Sequence, residues 1–205
     1  MILKRIIPFL FMFLSALASA QQTGLFPVEG VYTGLSEFKS GTPAVTKERM
    51  VRSSSSGLEM SIRQWINSEK LLFRDNLGKE QPFDPKDFWG YYENATLYVF
   101  VGNKFHRVTL LGSISYFLES YPKVTGNHSP VVTEARATSS YKLLDMETGD
   151  ILDYDIQNLG DLLSRDEELY NEYKSIVSLK VKRKKMYSFM ERFNKKYPLK
   201  QQQMP

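Results

Sequence analysis

Residues 87–119, DFWGYYENATLYVFVGNKFHRVTLLGSISYFLE, constrain this chain more than any other stretch. Four short runs rich in aromatic and β-branched residues are separated by turn formers at Glu93-Asn94, Gly102-Asn103 and Gly112-Ser113. That pattern is the signature of a β-meander, with strands joined by tight hairpins. Within residues 96–101, Leu97, Val99 and Val101 fall on one face and Tyr98 and Phe100 on the other. Both faces are apolar, so this strand is expected at the centre of a sheet covered on both sides.

The ends of the chain differ from this middle. Lys4 and Arg5 precede an apolar run over residues 6–17 and the small-x-small exit Ala18-Ser19-Ala20. These features predict a secretory signal peptide over residues 1–20. The run falls short of the ~20 residues a spanning helix needs. The expected product is therefore an exported protein, periplasmic or secreted. Residues 21–205 suffice for one domain, burying roughly 70% of the unfolded chain's surface on folding. Thirteen Phe, twelve Tyr and two Trp provide large apolar groups for its core. Cysteine is absent, which excludes disulfides, thiolate metal sites and a cysteine nucleophile.

Before the meander, Gly30-Val31-Tyr32 reads as a strand and residues 33–39 as a helical turn entered at Thr33 or Ser36. Residues 44–57 read as a loop or an edge strand. Leu58, Met60 and Ile62 alternate with polar residues, predicting a strand that reaches about Trp65. Residues 71–74 form another, followed by a turn at residues 75–78. After the meander, residues 141–146 and 151–156 flank Glu147-Thr148-Gly149-Asp150 as a hairpin. The period then changes. Asn158 is expected to cap a helix ending near Leu163, and Ser164 with Glu167 reads as a capping box for a second. Helical spacing continues to Tyr197, with a break near residues 178–180 and a stop at Pro198. The predicted fold is α+β: an antiparallel meander sheet in residues 21–157, with amphipathic helices in residues 158–205 packed on it.

Charge is unevenly spread. Removing Lys4 and Arg5 takes the net charge from +4 to +2, yet nine basic residues face Glu191 alone between positions 180 and 200. Lys180, Lys182, Arg183, Lys184 and Lys185 read either as the solvated face of an amphipathic helix or as a contact for an anionic surface. The other face of that helix is Met186, Phe189, Met190, Phe193 and Tyr197. A second candidate patch combines Trp89, Tyr91 and Tyr92 with Asp84, Asp87 and Glu93, as a sugar-binding cleft or a carboxylate-based glycoside hydrolase would require.

Other candidates are sparse. The acidic hairpin Asp145, Glu147, Asp150, Asp153 and Asp155 lacks the alternation and central Gly of a calcium loop. His106 and His128 are the only histidines and have no ligand partner at helical spacing. The hydroxyls of residues 53–56 have no nearby base.

Several phrases taken together resemble function-unassigned exported proteins of Bacteroidota-type bacteria. They are Gly30-Val31-Tyr32 with Glu37-Phe38-Lys39 and Pro43, then DFWGYY and GSISYF, LLDMETGDI, and RDEELYNEYKS through MERFNKKYP. The resemblance implies an envelope or secreted setting and carries over no active-site residue. The expectation is a non-enzymatic binding or envelope-assembly protein with no cofactor and no metal. Its partner would be an envelope protein or glycan rather than nucleic acid. The alternatives are the sugar-binding protein or hydrolase above, and a peripheral binder of anionic envelope surfaces.

Overall fold

In the computed structural model, residues 27–51, 60–121 and 138–199 are described. The expected signal peptide, the serine run at 53–56 and His128 lie outside them.

The chain enters at β1 (Gly30–Tyr32) and turns into α1 (Leu35–Ser40). The Glu37 carboxylate reaches back to the Thr33 backbone N–H at 2.8 Å and to its hydroxyl at 2.7 Å. Gly41, at φ 68°, closes the helix by donating to the Glu37 and Phe38 carbonyls. An edge strand, β2 (Val45–Thr46), leads to a 3-10 turn at Lys47–Arg49.

The strand expected to reach Trp65 is instead helical there: Ile62–Ile66 forms α2. Ser61 accepts from the Gln64 N–H and donates its own N–H to the Gln64 side chain, a complete capping box. Ile62 and Trp65, three apart, then bury one helical stripe, both at 0% exposure. Leu58 lies outside the described residues.

A small separate hairpin follows, β3 (Leu72–Arg74) with β4 (Glu80–Pro82). β4 has no counterpart among the strands expected from the sequence. Asp75 organises its turn by accepting from the Leu77 and Lys79 N–H groups, which holds its carboxyl below the usual range, with the Gln81 amide the largest cause.

The meander is present as β5 (Gly90–Glu93), β6 (Thr96–Val101), β7 (Lys104–Leu110) and β8 (Ile114–Tyr121). Its first turn lies one residue later than expected, at Asn94-Ala95, with φ 49° and 56°; the second is Gly102-Asn103, at 56° and 65°. Two successive positive φ values are what a two-residue hairpin needs to match the strand twist. The pairing of β7 with β8 carries a register shift between Val108 and Leu110. Next come β9 (Thr138–Asp145) and β10 (Ile151–Asp153), paired around the expected turn.

Three helices complete the chain: α3 (Ile156–Leu163), α4 (Glu167–Ser175) and α5 (Leu179–Lys196). Two caps differ from expectation. Asp155, not Asn158, caps α3, and Asp166, not Ser164, caps α4. Asn158 lies inside α3 and gives its own N–H to Asp155, while Asp166 stands immediately before α4, closer than Ser164. The Ser164 hydroxyl instead closes α3 by donating to the Asp161 carbonyl. The predicted break before α5 is present, with Ser178 as its N-cap.

The eight strands of the main sheet run β10-β9-β8-β7-β6-β5-β1-β2, antiparallel throughout. β6 is central and two-sided as its alternation requires. Leu97 and Val99 join Tyr32, Phe38, Phe117 and Leu144 on one face. Tyr98 and Phe100 pack on the other with Val31, Trp65, Phe88 and Tyr91, beneath α2 and the small hairpin. Further along, Ile114 and Leu143 meet the buried stripe of α5, namely Met186, Phe189, Met190 and Phe193. Asn194 fixes α5 to the sheet: its amide accepts from the Ile114 N–H and donates to the Ile114 carbonyl, both at 2.8 Å.

Candidate functional site

The corner between α4 and α5 combines features that a purely structural helix junction would avoid. α4 ends at Ser175 and α5 starts at Leu179. Between and just after them, Val177 is 93% exposed, Leu179 62% and Val181 42%. Their polar surroundings are cationic. Lys180, Arg183, Lys184 and Lys185 are exposed, and Lys182 is half-buried with its ammonium 5.0 Å from the Tyr173 ring centre.

The two ends of α5 differ in how their charge is met. Near the C-terminus, Arg192 makes a double contact with Glu172 at 2.7 and 2.5 Å, and Lys196 lies 2.6 Å from Asp166 and 3.3 Å from Glu168. Among the described residues, no ion pair is made by Lys180, Lys182, Arg183, Lys184 or Lys185. The first turn of α5 has no acidic residue. Cations there oppose the positive end of the helix dipole, a cost of a few tenths to ~1 kcal/mol each.

Alongside α5 lies a group of tyrosines from three elements and the segment after β10. Tyr116 of β8 stacks on Tyr141 of β9 with centroids 5.2 Å apart. Its ring also meets Tyr154, just after β10, at 4.8 Å and Tyr187 of α5 at 6.0 Å. Burial, then Tyr187, pushes the Tyr154 hydroxyl up to about 12, and burial together with the other three rings raises Tyr116 further. A cleft of about 570 Å³ opens next to Tyr154, lined by Asp155, Ile156, Gln157, Arg183 and Met186.

The patch expected around Trp89 is not a platform. Tyr91 and Tyr92 are 3% and 4% exposed and point to opposite faces of the sheet. Tyr91 stacks on Tyr98 at 4.5 Å, while Trp89 packs 5.6 Å from Phe38. Glu93 is buried and accepts from the Ile62 N–H at 2.7 Å, serving the start of α2. Asp84 accepts from the Lys86 N–H in a 3-10 turn, and Asp87 is exposed.

The other polar candidates are also engaged. In the acidic hairpin, Asp145 is 2% exposed and takes both guanidinium nitrogens of Arg165. Burial alone would raise its carboxyl, but Arg165, the Glu147 N–H and Thr148 together hold it low. Asp153 pairs with Lys142 at 2.7 Å, and Asp155 caps α3. Asp166 is held at about 2, first by the Leu169 N–H, then by Lys196 and Tyr197. These last two groups line a second cleft, of about 800 Å³, with Arg165, Phe193 and Lys39. His106 is buried with Nε2 3.2 Å from the Val101 carbonyl oxygen. Among the described residues, no group of three or more His, Asp or Glu is placed to hold a metal ion.

No protein-family model, curated protein or solved structure matches this chain.

Proposed function

We propose that the protein is an exported, non-catalytic binding protein that docks on anionic envelope surfaces through the α4–α5 corner. The observation that carries this reading is the exposure of Val177 and Leu179 amid cations that have no ion-pair partner among the described residues. Aliphatic side chains at an exposed corner gain from entering the boundary between headgroups and acyl chains. Each fully buried Val or Leu contributes ~1.5–3 kcal/mol. Each Lys or Arg near an anionic leaflet adds about 1 kcal/mol. Together these suffice for reversible peripheral attachment. Among the described residues no helix is long and apolar enough to cross a membrane. Export is supported by the composition of residues 1–20.

Cosedimentation with vesicles tests the proposal. Vesicles rich in phosphatidylglycerol should bind the protein and pure phosphatidylcholine vesicles should not. Binding should weaken at least tenfold from about 0.1 to about 0.5 M salt. Combined reversal by Lys180→Glu, Arg183→Glu and Lys184→Glu should abolish it. Equal binding to neutral vesicles, or binding indifferent to the reversal, would overturn the reading.

A further inference from the structure

The tyrosine group beside α5 has a composition that core packing does not explain. Four hydroxyl-bearing rings converge from β8, β9, the segment after β10 and α5, yet Tyr141 remains 51% exposed and Tyr187 40%. Phenylalanine or leucine would serve a buried contact without the hydroxyl. Tyrosine is the residue that offers a rigid, wettable apolar face at low entropic cost.

The adjoining cleft supplies the complementary chemistry. Asp155 is fixed by the Asn158 N–H at 2.8 Å and the Asn158 side-chain amide at 3.1 Å, and, being exposed, it keeps lone pairs that can accept further. The Gln157 amide nitrogen is occupied by Asp161 at 2.9 Å, which leaves its carbonyl oxygen to accept. Arg183, four residues before Tyr187 on α5, brings donors to the same rim and has no ion pair among the described residues. A ligand for this place therefore needs an apolar face for the rings and an edge that both donates and accepts. An acyl chain lacks the edge, and a simple anion meets Asp155 as well as Arg183.

We infer that the cleft and the tyrosine group beside it form an oligosaccharide-binding site, in which one sugar ring lies on Tyr154 with its hydroxyls bonded to Asp155, Gln157 and Arg183, and the adjoining sugar rings extend over Tyr141 and Tyr187. Pockets of this kind, mostly apolar with a few fixed polar groups, are the usual form of small-ligand sites. The inference is separable from lipid docking: the ligand is a soluble sugar, Tyr141 lies on the sheet rather than on the corner, and of the corner's cations only Arg183 is shared.

Titration calorimetry with short soluble oligosaccharides of β-1,4-N-acetylglucosamine, β-1,4-glucose and α-1,4-galacturonate tests it. At least one should bind, with a dissociation constant below about 1 mM. Tyr141→Ala and Tyr187→Ala should each weaken that binding about tenfold or more, while Tyr141→Phe and Tyr187→Phe keep most of it. Near-ultraviolet circular dichroism and the melting temperature of each variant establish that it is folded. Leu179→Asp, which on the docking proposal should weaken vesicle binding, should leave sugar affinity unchanged, so the two ideas fail separately. No binding of any of the three sugars to the wild-type protein overturns the inference. So does binding that survives both alanine substitutions.

Discussion

Asn194 and Gly112 allow the attachment of α5 to the sheet to be measured as a coupling. The Asn194 amide satisfies both backbone groups of Ile114. A side chain on Gly112 would overlap that amide, so the glycine is the space into which Asn194 fits. Asn194→Ala removes two hydrogen bonds of ~0.5–1.5 kcal/mol each, a loss of about 1–3 kcal/mol. Gly112→Ala forces the amide aside, an overpacking cost of ~1–3 kcal/mol. The two costs share one cause, because the methyl group that clashes with Asn194 meets open space once Asn194 is truncated. The double variant should therefore be less destabilised than the sum by about 1–2 kcal/mol. Urea unfolding followed by tryptophan fluorescence reads each stability through its midpoint, with the slope unchanged. Strict additivity, or a loss below about 0.5 kcal/mol for Asn194→Ala, would refute the reasoning.

Three further outcomes follow from the structure. Asp145 and Asp166 have depressed carboxyl values, so below about pH 4 the unfolded chain takes up protons that the folded chain does not. The stability they contribute is complete above that pH and is lost as pH falls towards about 2; melting temperature should fall across that window, less steeply in Asp166→Asn, and an unchanged slope in that variant would contradict the assignment. Arg165→Ala strands a carboxylate that is 2% exposed. Because the guanidinium itself is 31% exposed, the loss should be ~2–4 kcal/mol by urea unfolding, below that of a fully enclosed pair, and Arg165→Lys should restore only part of it. Ala95→Gly relieves a non-glycine residue at φ 56° and should raise stability by about 0.5–1 kcal/mol, a gain readable as a higher urea midpoint.

What could be read from sequence was what is decided within a few residues. The alternation in residues 96–101 was sufficient to place β6 at the centre of a two-sided sheet, and the spacing from Met186 to Phe193 was sufficient for the buried stripe of α5, but Tyr197, expected to continue that stripe, is 39% exposed because α5 ends at Lys196. Over residues 60–65 local pattern misleads. Met60 and Ile62 alternate like a strand, and only the Ser61 and Gln64 pair reveals the helix. Aromatic density at Trp89, Tyr91 and Tyr92 marked core rather than an open platform, because alternation sends neighbouring rings to opposite faces. The role of Glu93 depends on Ile62, and the tyrosine group depends on Tyr116 meeting Tyr187; neither pairing leaves a local trace. At the corner the cations were legible. The exposure of Val177 and Leu179 was not, since aliphatic residues in a helical segment read as core.

The most direct test of envelope docking uses the absence of cysteine, which lets one introduced thiol carry a single polarity-sensitive fluorophore. The label would be placed through Leu179→Cys at the corner and, in a second protein, through Leu77→Cys at the 93% exposed tip of the small hairpin. On anionic vesicles the corner label should shift to the blue and brighten, while the hairpin label keeps its emission in water. A bound protein whose corner label stays in water, or whose two labels respond alike, would contradict the account.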